Sequence, residues 1–378
     1  MVGPRVYLDH AATTRVRPEV QEVMSAALAE SYGNPSSVHR EGQRARKRLE
    51  EAREQIASLL CCDPSEILFT SGGTESDNLA IKGSIADAPI HKRHIITSAI
   101  EHPAVLESCR ALEQNGTRVT CLPVDRTGLI SKYSLSEALS PDTCLVSVMT
   151  VNNEIGTVEP IADLSSIAHE KGVLFHTDAV QAVGMIPVRV RDLGVDMLSL
   201  SSHKFGGPKG VGILVLKKDT AIRPILDGGS QEMHHRAGTE NLPSIIGMAH
   251  ALELAVEEMD EVTSRVRRLK ERLVGELNDA YPNVRIHADL APCHPGIVNF
   301  YIPGMEGEKT MLLLDYKGFA VSGGAACASK EHTVSHVLSA IGCEKAEAEN
   351  SLRISLGGEN TEEEIHAFVE ALKSIVLP

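Results

Sequence analysis

Short apolar runs alternate with helix-like segments through most of this chain. The runs lie at 66–70, 94–98, 145–151, 173–177, 197–201 and 212–218. Strands that alternate with helical patterns form sheets that are mainly parallel and are covered by helices. The sequence therefore predicts an α/β fold.

Helical patterns flank these runs. In segment 41–60 apolar residues recur every three to four positions, at Ala45, Leu49, Ala52, Ile56 and Leu60, which indicates an amphipathic helix. Segment 243–279 is helical and highly charged, and it leads to new strands at 296–302 and 351–356 and a closing helix at 360–375. We expect a smaller C-terminal α/β domain after residue 263.

Composition limits the classes of function. The 378 residues carry a net charge of −14, which argues against a nucleic-acid surface built from clustered Lys and Arg. No apolar run reaches 18 residues and the first ten residues lack an apolar core, so we expect a cytoplasmic protein without a signal peptide. The eight cysteines form no CxxC pair, which argues against a structural zinc site, and without a secretory signal we expect most of them to be reduced, buried thiols.

Polar motifs follow five of the predicted strands. They read SGGTESDN, AIEHPAV, NNEIGT, DAVQAVG and SHKFGG. In open α/β sheets, ligands bind beyond the carboxyl ends of the strands. Five such motifs at one edge predict a functional site in a single crevice.

The glycine pair in TSGGTESDN suits an anion. Gly72 and Gly73 let the backbone approach closely, and Thr74 opens a helix whose free N–H groups favour phosphate. No Gly-Lys-Ser/Thr follows and GxGxxG is absent, which excludes a Walker loop and a dinucleotide fingerprint. The alternative is an ordinary Thr cap with Asp77 three residues later.

Asp178 and Lys204 follow neighbouring strands. Asp178 is interpreted either as the N-cap of a helix over AVQAVG or as a carboxylate that faces the crevice. Lys204 stands between polar Ser201 and His203 and a glycine turn. Pyridoxal phosphate needs an anion cradle, an acid for its pyridinium nitrogen and a lysine for its aldehyde. The three features together therefore predict this cofactor.

Nine motifs, in order, resemble those of the cysteine desulfurases, fold-type I pyridoxal-phosphate enzymes of the class V aminotransferase group. They are YLDHAATT, GNPSSVH, TSGGTESDNLAIKG, EHPAV, VNNEIGTV, HTDAVQAVG, SSHKFGGPKG, RAGTEN and SGGAACAS. The resemblance implies a mainly parallel seven-stranded sheet in a large domain, 16–263. It also implies that residues 1–15 join 264–378 in the small domain.

The resemblance assigns a role to each site residue. Lys204 would bind the cofactor aldehyde, and His102 would stack on the ring and move protons. Other cofactor contacts would come from Asp178 at the pyridine nitrogen, Gln181 at the phenolic oxygen, Asn153, and, at the phosphate, Gly73, Thr74, Ser201, His203 and the backbone at Ser202. Thr239 would reach the phosphate from a second subunit, which implies a homodimer. Arg353, with Asn153, would bind the substrate carboxylate.

Cys327 corresponds to the nucleophile on a long loop. L-Cysteine would give L-alanine and a persulfide on Cys327, and the sulfur would pass to an iron–sulfur scaffold or another acceptor. By resemblance, Cys327 would also briefly ligate a [2Fe–2S] cluster docked with the scaffold. Departures from the family pattern occur at His10, where LDH replaces LDN, and at Met233, His234 and His235.

Three alternatives stay open on the same residues. The first two are a selenocysteine lyase and an aminotransferase on this scaffold. The third is a catalytically idle protein that only binds partners during cluster assembly. Lys204, Asp178 and Cys327 together favour the desulfurase.

Overall fold

The computed structural model describes residues 5–290, 292–323 and 334–376. Its strands are β1 (Val6–Tyr7), β2 (Ile67–Thr70), β3 (His94–Ser98), β4 (Arg118–Leu122), β5 (Thr143–Ser147), β6 (Leu174–Asp178), β7 (Met197–Ser201), β8 (Gly212–Leu216), β9 (Arg285–Ile286), β10 (Ile297–Tyr301), β11 (Phe319–Ala320), β12 (Ser322–Gly323) and β13 (Leu352–Ser355). Its helices are α1 (Pro18–Glu30), α2 (Arg40–Leu60), α3 (Gly73–Asp87), α4 (Pro103–Glu113), α5 (Lys132–Ala138), α6 (Ile161–His169), α7 (Val190–Leu193), α8 (Leu242–Glu257), α9 (Met259–Ala280), α10 (Gly307–Tyr316), α11 (His336–Ala340), α12 (Lys345–Asn350) and α13 (Glu362–Lys373).

The main sheet has seven strands in the order β2-β8-β7-β6-β5-β3-β4. Strand β8 runs antiparallel to both of its neighbours, and the other pairs are parallel. The prediction of a mainly parallel seven-stranded sheet is therefore confirmed. Strand β4 was not predicted, because RVTCL at this edge is largely half-buried or exposed and lacks a continuous apolar run.

Helices cover both faces of this sheet, as its burial requires. Every residue of β3, β7 and β8 is buried. Successive side chains alternate between the faces: Leu198 packs in the cluster with α2 and α8, and Met197 packs in the cluster with α3 and α4. Burial on both faces explains why the strands read as continuous apolar runs.

A second sheet lies later in the chain, with the order β12-β13-β10-β9 and antiparallel pairing throughout. Its apolar residues pack with α9 and α13 in a separate cluster, which also contains Leu8. The side chain of Thr361 caps α13 by accepting a hydrogen bond from the Glu364 N–H. The predicted domain limits, 16–263 and 1–15 with 264–378, stay a prediction.

Two helical predictions need adjustment. The long helical segment is two helices, α8 and α9, which meet at Glu258. The predicted helix over AVQAVG is absent from the described chain, where a series of turns follows Asp178. Across the described residues, no helix combines the length and the apolar character needed to cross a membrane.

Candidate active site

The site lies at the carboxyl edge of the main sheet. Strands β2, β3, β5, β6 and β7 run in one direction, so their carboxyl ends meet at this edge. Asp178 is the last residue of β6, His102 follows β3, and Lys204 ends a single 3-10 turn after β7. The spatial order of the strands in the sheet, which differs from their order in the sequence, brings these three residues together.

The Asp178 carboxylate is buried at the end of β6, with 5% of the residue exposed. Its Oδ1 accepts a hydrogen bond from the Val180 N–H at 2.9 Å, so the carboxylate caps a turn and not a helix. Burial raises the pKa of Asp178 above its ordinary value, and the neighbouring His102 and Lys204 side chains oppose that rise. A cation at this carboxylate would relieve the cost of its burial.

A second carboxylate, Asp77, lies beside Asp178 at the base of α3. One ligand atom from each of Asp77, His102 and Asp178 lies within 4.8 Å of the other two. Asp77 is 1% exposed, and burial, followed by repulsion from Asp178, raises its pKa well above the ordinary value. Its Oδ1 lies 3.6 Å from His176 Nε2. The only role predicted for Asp77 was at the start of a helix, and its proximity to Asp178 was not predicted.

His102 caps the start of α4. Its Nδ1 accepts a hydrogen bond from the Ala104 N–H at 3.1 Å, which fixes the ring with Nδ1 unprotonated. Burial lowers the pKa of His102, and the Asp178 charge opposes this shift. The ring is therefore positioned beside the crevice by the backbone of its own helix.

Lys204 and Gln181 share one backbone acceptor. The carbonyl oxygen of Ala11 accepts from Lys204 Nζ at 2.6 Å and from Gln181 Nε2 at 2.8 Å. Lys204 Nζ also donates to the Ala12 carbonyl at 2.9 Å. The N-terminal segment thus holds the lysine amine and the glutamine amide side by side.

The neighbouring His203 is tied to the same N-terminal segment. Its Nδ1 lies 3.1 Å from Thr13 Oγ1, and its carbonyl accepts from the Thr14 N–H and hydroxyl at 2.8 and 2.9 Å. Burial lowers the pKa of His203 to about 4, so the ring is neutral at pH 7. Thr13 and Thr14 were not among the predicted site residues.

The N-terminus of α3 is open for an anion. The helix starts at Gly73, one residue earlier than expected, and no side chain among the described residues caps it. A Cβ on Gly73 would lie 2.8 Å from Val180 Cγ2, whereas a Cβ on Gly72 would lie 3.6 Å from Ser201 Oγ. Thr74 is exposed in the first turn. The alternative of a Thr cap is therefore wrong.

Ser202 provides a buried hydroxyl after β7. The residue is fully buried, and its Oγ has no hydrogen-bond partner within the described chain. A buried hydroxyl without a partner loses its hydrogen bonds to water without compensation. A Cβ on Gly207 would lie only 2.0 Å from this Oγ, whereas the serine hydroxyl near the start of α3 is that of Ser201, 3.6 Å from the position of a Cβ on Gly72.

Arg353 lies on β13 and is 2% exposed. Its Nη2 donates to Asp9 Oδ1 at 2.8 Å, and its Nη1 donates to the carbonyl of half-buried Asn153 at 2.9 Å. Its Nε has no partner among the described residues. Arg353 and Asn153 are thus in contact, as their shared predicted role requires, while Asp9 is a partner that was not predicted.

Comparisons with known proteins agree with this geometry. The class-V aminotransferase family model matches residues 6–368. Cysteine desulfurase IscS of Dictyoglomus turgidum is 49% identical over 98% of this chain and 94% of its own length. The human cysteine desulfurase is 44% identical over 98% of this chain and 82% of its own. The chain belongs to the cysteine desulfurases.

Two solved structures support the same membership. A NifS-like protein superimposes with a TM-score of 0.93 and 41% identity, over 98% of this chain and 99% of that one. A structure described as SspA in complex with cysteine gives a TM-score of 0.82 and 37% identity, over 94% and 99% of the two chains. The fold-type I prediction is confirmed.

Pyridoxal phosphate is the cofactor of this desulfurase family, and the residues present fit it. Asp178 is a buried carboxylate that a pyridinium cation would neutralise. The uncapped α3 N-terminus is suited to the phosphate, and the side chain near it is Ser201, whose Oγ is 3.6 Å from the position of a Cβ on Gly72. The lysine and glutamine required at the other end of the cofactor lie together at Ala11.

Two predicted site residues remain separate from this cluster. Thr239 is exposed, and within the described residues no hydrogen bond joins its side chain to the crevice. Cys327, the predicted nucleophile and cluster ligand, lies outside the described residues. Their roles stay predictions.

Proposed function

We propose that this cysteine desulfurase transfers the sulfur of L-cysteine to Cys327 and releases L-alanine. The observation that supports this most directly is the convergence of Lys204, Asp178 and His102 at the carboxyl edge of the sheet. An amine, a buried acid and a neutral imidazole in one crevice suit proton abstraction beside a carbonyl cofactor.

Substrate is held by its carboxylate. The buried Arg353 guanidinium, oriented by Asp9 and by the Asn153 carbonyl, retains its unpaired Nε for this purpose. A guanidinium binds a carboxylate with two parallel hydrogen bonds. Arg353 therefore orients the substrate Cα toward the Lys204 amine.

Bound pyridoxal phosphate supplies an electron sink for the substrate Cα. Lys204 Nζ accepts the Cα proton, and Asp178 keeps the ring nitrogen protonated. Ser201, His203, the backbone at Ser202 and the first N–H groups of α3 would hold the phosphate, with Thr239 contributed by a second copy of the chain. Gln181 donates to the ring oxygen, and His102 covers the ring and passes protons.

Cys327 completes the reaction. Its thiolate attacks the substrate sulfur, so an S–S bond forms while the Cβ–S bond breaks. The Cβ–S electron pair stays with the carbon fragment, which takes a proton and leaves as alanine. Cys327 keeps the sulfur as a persulfide for an iron–sulfur scaffold or another acceptor, and a transient [2Fe–2S] cluster on Cys327 stays part of this proposal.

A homodimer fits the surface around Thr239. The preceding turn is anchored by Glu232, whose carboxylate accepts from Arg53 Nη1 and Nη2 at 3.0 and 2.8 Å and from the Phe69 N–H at 2.8 Å. The anchored turn presents exposed Met233 to solvent. We propose that this surface meets a second subunit. The cytoplasmic location stays a prediction from the sequence.

Single-turnover sulfur transfer tests the proposal. With ³⁵S-labelled L-cysteine, the wild-type chain should yield alanine and one labelled persulfide that maps to Cys327 and is released by reductant. Cys327→Ser should lose the label but keep the cofactor absorbance, and Cys121→Ser, which changes an exposed cysteine, should behave as wild type. Normal labelling of Cys327→Ser would show that the nucleophile is another residue, and transamination without sulfur release would favour the aminotransferase alternative.

A further inference from the structure

A second cluster of potential ligands lies away from the cofactor crevice. His287 follows β9, Cys343 precedes α12, and Glu347 lies on α12. One ligand atom from each of the three lies within 4.8 Å of the other two. Cys343 Sγ is 3.6 Å from His287 Nδ1, and Glu347 Oε1 is 3.9 Å from His287 Nε2.

The separation between Cys343 Sγ and His287 Nδ1 suits two ligands of one metal ion. A thiolate and an imidazole bound to the same tetrahedral zinc, at about 2.3 and 2.0 Å, have their donor atoms about 3.6 Å apart. Sulfur, nitrogen and carboxylate oxygen together are a donor set that zinc accepts, whereas magnesium and calcium take oxygen ligands. His287 and Glu347 are each 8% exposed and Cys343 is half-buried, so the cluster is shielded but accessible.

The imidazole is already oriented for a metal. Ser351 Oγ donates its hydrogen to the Glu347 carbonyl at 2.7 Å, so at 3.1 Å it accepts from His287 Nε2–H. That contact places the ring proton on Nε2 and leaves the Nδ1 lone pair facing Cys343. A hydrogen bond from the second ring nitrogen is the usual means of orienting a metal-binding histidine.

Hydrogen bonds to residues outside the cluster also fix the positions of Glu347, Cys343 and the His287 backbone. Arg285 Nη1 donates to Glu347 Oε2 at 3.0 Å, which leaves Oε1 toward His287. The Cys343 N–H donates to the Leu338 carbonyl at 3.0 Å, and the His287 N–H donates to the Asn299 carbonyl at 2.9 Å. The Arg285–Glu347 pair and the backbone hydrogen bonds of Cys343 and His287 therefore hold the three ligands in place before any metal binds.

We propose that His287, Cys343 and Glu347 form a zinc site, with water as the fourth ligand. The ion joins α12 to β9 and fixes the chain that follows α11, on the C-terminal side of the segment containing Cys327. Its role is to hold the segment between α11 and α12 against the second sheet. This function is independent of the sulfur-transfer chemistry.

Cobalt substitution tests the site without an activity measurement. Cofactor-loaded full-length protein carrying Cys327→Ser, which removes a competing thiol, is dialysed against chelator and titrated with Co²⁺. We expect one equivalent per chain and a thiolate-to-cobalt charge-transfer band that zinc abolishes. Cys343→Ser should lose the band, and Ser351→Ala should weaken affinity about 10- to 100-fold.

Two further variants make the result decisive. His287→Asn should reduce Co²⁺ affinity even if Cys343→Ser folds poorly, and Cys121→Ser should leave the band unchanged. Absence of a thiolate band in the parent protein would mean that Cys343 and His287 form only an S–H···N hydrogen bond. Retention of the band in both Cys343→Ser and His287→Asn would place the metal elsewhere, and either result overturns the proposal.

Discussion

Arg353 Nη2 donates to Asp9 Oδ1 at 2.8 Å, although 344 residues separate the two in sequence. The isolated bridge between Asp9 and Ser355 brings the N-terminal segment alongside β13. The guanidinium is almost fully buried, so the carboxylate both neutralises and orients it. Asp9 is therefore a positioning residue for the proposed substrate-binding arginine.

Asp9→Asn should raise the KM for L-cysteine more than it lowers kcat, because Arg353 loses an ionic partner but remains in place. The free energy of unfolding should fall by about 1–3 kcal/mol. Steady-state alanine release and urea unfolding measure these effects. Asp315→Asn, which removes the carboxylate of an exposed pair with Arg5, is the matched control and should change stability by less than about 0.5 kcal/mol. Equal effects of the two variants would contradict a positioning role.

Ser201→Ala should weaken retention of pyridoxal phosphate about 10- to 100-fold, because its Oγ lies near Gly72 at the start of α3 and a hydrogen bond to a charged group contributes about 1.5–3 kcal/mol. Equilibrium dialysis, followed by cofactor absorbance, measures the dissociation constant. Ser84→Ala is the control, because that hydroxyl bonds the Ala80 carbonyl within α3. If both variants retain cofactor equally, the Ser201 hydroxyl does not contact the phosphate.

Gly73→Ala should impair cofactor binding, because the new Cβ would lie 2.8 Å from Val180 Cγ2 at the start of α3. Overpacking of this kind costs about 1–3 kcal/mol. Gly275→Ala in α9 is the contrasting control: its Cβ meets nothing within 4 Å, so it should stabilise the protein by about 0.5–1 kcal/mol. Thermal unfolding and cofactor titration of both variants check the prediction, which fails if Gly73→Ala binds cofactor normally.

Glu101 gives the protein a specific pH dependence. Its carboxylate accepts from Ser98 Oγ at 2.6 Å and from the Met149 N–H at 2.9 Å, and burial raises its pKa from 4.5 to about 8. The folded chain keeps this proton after the unfolded chain has lost it. Stability should therefore fall as pH rises from 4.5 through 8.

Between pH 6.5 and 8, the free energy of unfolding of Glu101→Gln should fall by about 2 kcal/mol less than that of the wild-type chain. The reason is that one pKa unit corresponds to about 1.4 kcal/mol. Urea unfolding at several pH values measures the difference. Glu107→Gln on the exposed side of α4 should retain the wild-type slope. A Glu101→Gln profile that parallels wild type would show that Glu101 is not protonated in the folded protein.

Much of the site could be predicted from the sequence, because the carboxyl ends of parallel strands lie at the same edge of a sheet. The motifs after β2, β3, β5, β6 and β7 had to meet at one edge once the runs were recognised as parallel strands. The nine motifs then indicated the family. Edge strand β4 could not be recognised in this way, because its residues are largely exposed or half-buried and form no continuous apolar run.

Contacts between distant segments could not be predicted in this way. Asp77 reads as an ordinary residue in the first turn of a helix, yet α3 places it beside Asp178. The absence of a CxxC pair argued against zinc, while the proposed site combines His287, which follows β9, with Cys343, which precedes α12 and lies 56 residues away in the sequence.

The sequence by itself determined the fold class, the cofactor chemistry and the residue types at the strand ends. These depend on apolar periodicity and on short motifs, which are local properties of the chain. Tertiary structure alone decided that Asp9 orients Arg353, that Ala11 holds Lys204 beside Gln181, and that Ser202 is left without a partner. Such relations arise when packing brings remote segments within hydrogen-bond distance and excludes water from them, and no local pattern in the sequence encodes that distance.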